Sequence, residues 1–271
     1  MVVMGTSHVH CGVNTGLLWE KYEIPAYDYS GAEQPLWMTY YYMKELFKYQ
    51  SPEVIVLDVY GPARYKEDYQ YEWISENIHG MKFSFNKLEM LFSSVEFEKI
   101  TKYFPSFIIY HNRYDDLNEE DFTSFFWNEK EKEDFKGYTP YWNKRAQICP
   151  EDSTFETVEP GGLTLKSEKY LRKIIRLAKE KECKLIFTVI PYIETPKDRE
   201  TYLEIEEIAE EEGIQFINYN EYYDEYESED YFEAQINNEN SIQLGEVLTQ
   251  KEVESESSSG HKTTRMVTKF H

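Results

Sequence analysis

At 271 residues the chain is long for one domain and short for two, which suits a single α/β domain carrying an insertion. A formal net charge of −22 argues against a nucleic-acid partner, because a phosphate backbone demands a basic face. Three cysteines, Cys11, Cys149 and Cys183, are far apart and odd in number, so they fit neither a disulfide framework nor zinc spacing.

Val2-Val3-Met4 is a short apolar run that stops at Gly5, with Ser7 at the turn beyond it. A strand that breaks at Gly-x-Ser sets the hydroxyl at the carboxyl edge of a sheet, where open α/β folds hold ligands and nucleophiles. The plainer reading is a serine that caps the helix after a strand. Thr15 to Tyr22 is expected to be helical, and Ile24 to Tyr29 leads to Asp28-Tyr29-Ser30-Gly31-Ala32, a second strand-to-turn signal. Trp37 to Tyr49 then shows helical spacing through Met38, Tyr41, Tyr42, Leu46 and Tyr49, before Ser51-Pro52 stops it. Val54 to Gly61 is the clearest strand, a β-branched run of the kind buried on both faces. Strand, helix, short strand, helix, strand makes a parallel sheet the natural solution.

From Pro62 to Pro160 the pattern changes. Helical pieces are expected at Tyr69 to Ile78, Lys87 to Leu91, Val95 to Tyr103 and from Asn118, with the apolar-then-polar Phe107 to Arg113 among them. Residues 62–160 are therefore read as a helical insertion over the carboxyl edge, where loops shape pockets. The regular rhythm resumes with an amphipathic helix over Ser167 to Glu182 and a buried strand from Lys184 to Pro191. A helix from Asp198 to Glu212, ended by Gly213, and a short strand from Ile214 to Asn218 follow. A last helix is expected near Leu244 to Leu248, and the tail, residues 250–271, is polar enough to be disordered.

No apolar run approaches the ~18 residues that cross a bilayer, and no basic-then-apolar leader opens the chain. The 24 tyrosines suit sugar stacking, but they suit ordinary packing better. The histidines are scattered, so no metal site is expected. No glycine-rich phosphate loop follows the first strand, which weighs against a nucleotide or flavin module.

Several stretches share a pattern beyond these elements: Gly5-Thr6-Ser7-His8, Ser30 to Trp37, Val56 to Gly61, Tyr110 to Leu117, Ile190-Pro191-Tyr192 and Phe216 to Tyr219. In that order the chain resembles the SGNH/GDSL-type hydrolases over residues 2–249. Within them it is similar to a bacterial subgroup of cell-surface acyl esterases and acyltransferases related to D-alanyl-transfer and alginate-acetylation proteins. The resemblance implies one domain over residues 1–249 with a three-layer, flavodoxin-like parallel sheet. It implies Ser7 as nucleophile, Gly31 as a backbone oxyanion donor and no cofactor. The substrate it implies is an acylated carbohydrate of the cell envelope, or another small acyl ester, met at or outside the cell surface.

A serine hydroxyl is a weak nucleophile until a base takes its proton, and the tetrahedral intermediate needs converging donors. The Ser7 and Gly31 amides supply two; a third is open among Gln34, Asn112 and His111, with Arg113 as a substrate contact. Such enzymes usually end in Asp-x-x-His followed by a hydrophobic residue and asparagine. Here Glu233 takes the acidic position and Ile236-Asn237 fits the pair, but no histidine stands between Gln235 and Ile236. His8, His10, His111 and His261 are the candidates for a displaced base; His111 is the best, because its loop is expected to overhang the pocket. Its bland alternative is a hydrogen-bonded structural residue. The expected function is thus an impaired serine esterase or O-acyltransferase. The alternative is an inactive member that binds glycan or serves as a structural module.

Overall fold

The computed structural model describes residues 1–65, 74–79, 81–97, 100, 136–139, 161–192 and 194–222. In chain order, β1 (Val2–Met4) leads through α1 (Ser7–Gly12) and α2 (Thr15–Tyr22) to β2 (Tyr27–Asp28), then α3 (Leu36–Leu46) and β3 (Val54–Asp58). Next come α4 (Tyr60–Arg64), α5 (Ile74–His79), α6 (Phe85–Ser94) and α7 (Leu165–Glu180). β4 (Lys184–Val189), α8 (Pro196–Glu212), β5 (Gln215–Asn218) and a 3-10 turn at Tyr219–Tyr222 complete the described chain.

The five strands pair in the order β2-β1-β3-β4-β5, and every pairing is parallel. This α/β arrangement is compatible with a flavodoxin-like fold. The order reverses between β1 and β3, and in such sheets ligands sit beyond the carboxyl ends of the strands at that reversal.

Alternate strand residues feed two cores. Met4, Ile55, Leu57, Leu185, Phe187 and Val189 face a larger one with Trp37 and Met38 of α3, Leu171 and Ile174 of α7 and Ile205 of α8. Val3, Val56, Ile186 and Ile217 face a second with Val9 of α1, Val13 just after it and Leu18 of α2. Apolar demand on both faces is why the β3 and β4 sequences are continuous rather than alternating. Phe187 is wholly buried, and truncating such a side chain to alanine costs about 3–5 kcal/mol.

The long helices begin and end where their capping residues stand. The Thr164 hydroxyl accepts from the Ser167 amide at 3.1 Å to start α7. Thr195 and Asp198 form a capping box around Pro196, and Gly213 closes α8 at φ 68°. Two short helices were not foreseen. Thr6 caps α1, accepting from the His8 amide at 3.2 Å, so Ser7 opens a helix rather than a plain turn. The Val54 strand ends at Asp58, three residues early: Val59 leaves the extended region and Pro62 sits comfortably in the first turn of α4.

The observed α6 is longer than the expected Lys87 to Leu91, with Ser84 as its cap, and it packs on α3. Val95 is extended and ends α6, Phe97 and Ile100 lie in 3-10 conformation, and the remainder of the expected Val95 to Tyr103 helix lies outside the described residues. The rest of the expected insertion, including Phe107 to Arg113 and the Asn118 helix, lies outside the described residues, as do Leu244 to Leu248 and the tail. Among the described residues no helix is long and apolar enough to cross a membrane.

Candidate active site

Gly5 makes the turn from β1 possible. Its φ of 154° suits glycine, and a Cβ there would stand 2.7 Å from Val9 Cγ2 and 2.8 Å from Asp58 Cβ. Ser7 follows at the carboxyl edge, beside the reversal of strand order, half-buried at the head of α1. No described residue hydrogen-bonds its hydroxyl.

On the β2 side the Gly31 amide donates to the Gly5 carbonyl at 3.2 Å, which ties the two turns together. That amide is therefore partnered; a ligand oxygen would share it with Gly5. A Cβ on Gly31 would collide with Asn77 Oδ1 and stand 2.7 Å from Gln34 Nε2, so both amide side chains crowd this glycine. Asn77 donates to the Ala32 carbonyl at 2.7 Å. Gln34 is 1% exposed; its Oε1 accepts from the Thr39 hydroxyl at 2.9 Å, while Nε2 has no partner among the described residues.

The same turn carries a polar chain. His10 Nδ1 lies 3.5 Å from Ser30 Oγ, and the Ser30 amide donates to Asp28 Oδ1 at 3.0 Å. Burial pushes the Asp28 carboxyl up to about 7, against the pull of the Ser30 hydroxyl and amide. Burial also lowers His10 from its ordinary value, favouring the neutral imidazole.

On the β3 and β4 side stands an aromatic wall. The His8 ring stacks on Tyr60 and meets Tyr192 edge-on at 5.5 Å, while Tyr60 and Tyr192 cross at 4.9 Å. The Arg64 guanidinium lies 5.5 Å from the Tyr60 ring centroid and 5.4 Å from that of Tyr192, with Asp198 Oδ2 at 3.9 Å. The Tyr192 and Tyr202 hydroxyls hydrogen-bond at 2.7 Å, and burial raises both phenols. Burial, then Arg64 and His10, lower His8 to about 4. Asp58, 2% exposed, accepts from the Ile190 amide at 3.3 Å and is pushed up to about 7 by burial.

Of the residues singled out by sequence, Ser7, Gly31 and Gln34 belong to one edge of the sheet. Glu233, His111, Asn112, Arg113 and His261 lie outside the described residues. Sequence reasoning missed Asn77, which no strand-end motif marks, and the Tyr60–His8–Tyr192 wall. Ser7 and His10 share a helix face at i and i+3, a relationship that exists only once α1 forms. Among the described residues no group of three or more His, Cys, Asp or Glu is arranged to hold a metal ion. An open groove of about 470 Å³, lined by Tyr40, Lys44, Phe92, Lys173 and others from α3, α6 and α7, shares no residue with this edge. In comparisons with known proteins, no family model, curated protein or solved structure matches the chain significantly.

Proposed function

We propose that the chain is an SGNH-type serine esterase or O-acyltransferase acting on an acylated carbohydrate of the cell envelope, and that it turns over slowly. The observation that carries this reading is Ser7: a half-buried hydroxyl, unengaged by any described residue, at the carboxyl edge where the strand order reverses. Ser7 Oγ attacks the acyl carbonyl and the bond to the sugar oxygen breaks. The sugar leaves as an alcohol, and water or a second alcohol then takes the acyl group from Ser7. The Ser7 amide, a shared Gly31 amide and Gln34 Nε2 are the nearby donors for the oxyanion. Tyr60 and Tyr192, both partly exposed, stand beyond the carboxyl ends of β3 and β4, on the same edge of the sheet as Ser7, and suit contact with a sugar. Slow turnover follows from the missing histidine after Gln235.

A second reading, an inactive glycan-binding member, draws on the same aromatic wall and on the absence of any described imidazole hydrogen-bonded to Ser7. One experiment separates them. The parent chain should hydrolyse p-nitrophenyl acetate weakly, a fluorophosphonate should label Ser7, and Ser7→Ala should abolish both. Inserting one histidine after Gln235 should raise the Ser7-dependent rate. Turnover and labelling that ignore Ser7→Ala would reject the hydrolase and leave the binding module.

A further inference from the structure

We propose that His10 is the general base for Ser7, and that Ser30, held by Asp28, is the positioning residue that sets its tautomer. This rests on the serine-hydrolase reading of the site.

Ser7 and His10 are three residues apart on α1, so their side chains share one face with Cβ atoms about 5–6 Å apart. The helix is anchored at both residues' ends of that face: Thr6 caps it, and the His10 carbonyl accepts from the Thr139 amide at 2.6 Å. The imidazole is anchored too, by the 3.5 Å approach of Nδ1 to Ser30 Oγ.

The chemistry of that contact decides the proton's place. Asp28 is 5% exposed, its amide donates to the Lys136 carbonyl at 2.9 Å, and its Oδ1 already accepts from the Ser30 amide. The Ser30 hydroxyl leans on the same carboxyl and eases its ionisation. Above pH 7, where Asp28 is ionised, the carboxylate only accepts, so the Ser30 O–H turns toward Asp28 and presents a lone pair to His10. Nδ1 must then carry the hydrogen, and Nε2 keeps its lone pair. No described group hydrogen-bonds Nε2. A neutral imidazole with a free Nε2 is what a serine needs: the Ser7 O–H bond breaks toward Nε2 as Oγ bonds to the acyl carbon. The same proton then passes to the departing sugar oxygen as its bond to the acyl carbon breaks. An Asp–Ser–His chain on β2 and α1 thus supplies a base where the usual C-terminal histidine is missing, with the carboxylate one hydroxyl further from the imidazole, in keeping with slow turnover.

The test uses the full chain and two readouts, the fluorophosphonate labelling rate of Ser7 and its esterase rate, each followed against pH. His10→Gln should slow both about a hundredfold and remove the acid limb of the profile, with the circular-dichroism melt confirming the fold. Free imidazole should restore part of the rate to His10→Gly, which answers the test even where His10→Gln melts early. Ser30→Ala should slow the reaction about tenfold and shift the acid limb, and Ser30→Thr, which keeps the hydroxyl, should restore it. Unchanged rates and an unchanged acid limb in His10→Gln, with Ser7→Ala still inactive, would overturn the base assignment and leave Ser7 as nucleophile. Absence of Ser7-dependent labelling in the parent would overturn the hydrolase reading and the base together.

Discussion

The His8 imidazole lies nearly face to face with the Tyr60 ring, centroids 3.7 Å apart and planes 22° from parallel. This contact joins the turn after β1 to the turn after β3, across the point where the strand order reverses. Tyr192 closes it from the β4 side, and His8 Nδ1 is buried with no partner among the described residues. A protonated ring there would be desolvated and would face the Arg64 guanidinium.

His8 therefore makes stability fall in acid. Its folded value of about 4 lies below the ordinary 6.5, so the folded state prefers the neutral ring. The contribution is present above pH 6.5 and is lost as the pH falls toward 4, when the unfolded chain binds a proton the folded one refuses. The loss should approach roughly 3 kcal/mol. His8→Phe keeps a ring on Tyr60 without titrating, so urea unfolding should show the parent falling behind this variant between pH 6.5 and 4. A gap between the two that does not change with pH would refute the assignment.

Asp58 acts in the opposite direction. Its folded value of about 7 lies above the ordinary 3.8, so its contribution is full below pH 3.8 and disappears as the pH rises through 7. Its Oδ2 has no partner among the described residues, while Oδ1 serves the Ile190 amide. Asp58→Asn keeps that acceptor and cannot ionise. Relative to the parent, the variant should gain about 2–3 kcal/mol between pH 5 and pH 8. Equal pH dependence of the two melting curves would show that Asp58 ionises without penalty.

Much of the frame was readable because local and tertiary demands agree in it. The β3 and β4 runs are apolar on both faces through Val54–Leu57 and Leu185–Phe187, since both sheet faces are covered, and Thr195, Pro196 and Gly213 bracket α8 in plain sight. Ser7 was readable because Gly5 must end the strand where it does. The short α1 and α4 were not, because a helix of six or five residues offers too little periodicity to register. In α4 the β-branched run before Tyr60 also disguised the boundary. The His10–Ser30 contact spans 20 residues and exists only because β2 pairs beside β1, a relationship no local pattern carries. Among the displaced bases expected from sequence, His111 was preferred and lies outside the described residues, whereas α1 holds another of those candidates, His10, on the face of Ser7.

Gln34 offers a test that separates a catalytic amide from a structural one. It is 1% exposed, and its Nε2 has no partner among the described residues. A buried donor left unmade costs about 1–3 kcal/mol, so packing alone gives no reason for an amide here. A substrate oxyanion beside Gly31 would supply the missing acceptor, since Nε2 stands 2.7 Å from where a Gly31 Cβ would be. Gln34→Leu fills nearly the same volume and removes the donor. Thr39 loses one acceptor but its hydroxyl still reaches the Pro35 carbonyl at 3.3 Å. Thermal stability should therefore hold or rise slightly, while the Ser7-dependent kcat falls about a hundredfold or more with KM little changed, the pattern of a donor used only in the transition state. A variant that unfolds more readily yet turns over as fast as the parent would make Gln34 a packing residue and return the third oxyanion donor to Asn77 or Asn112.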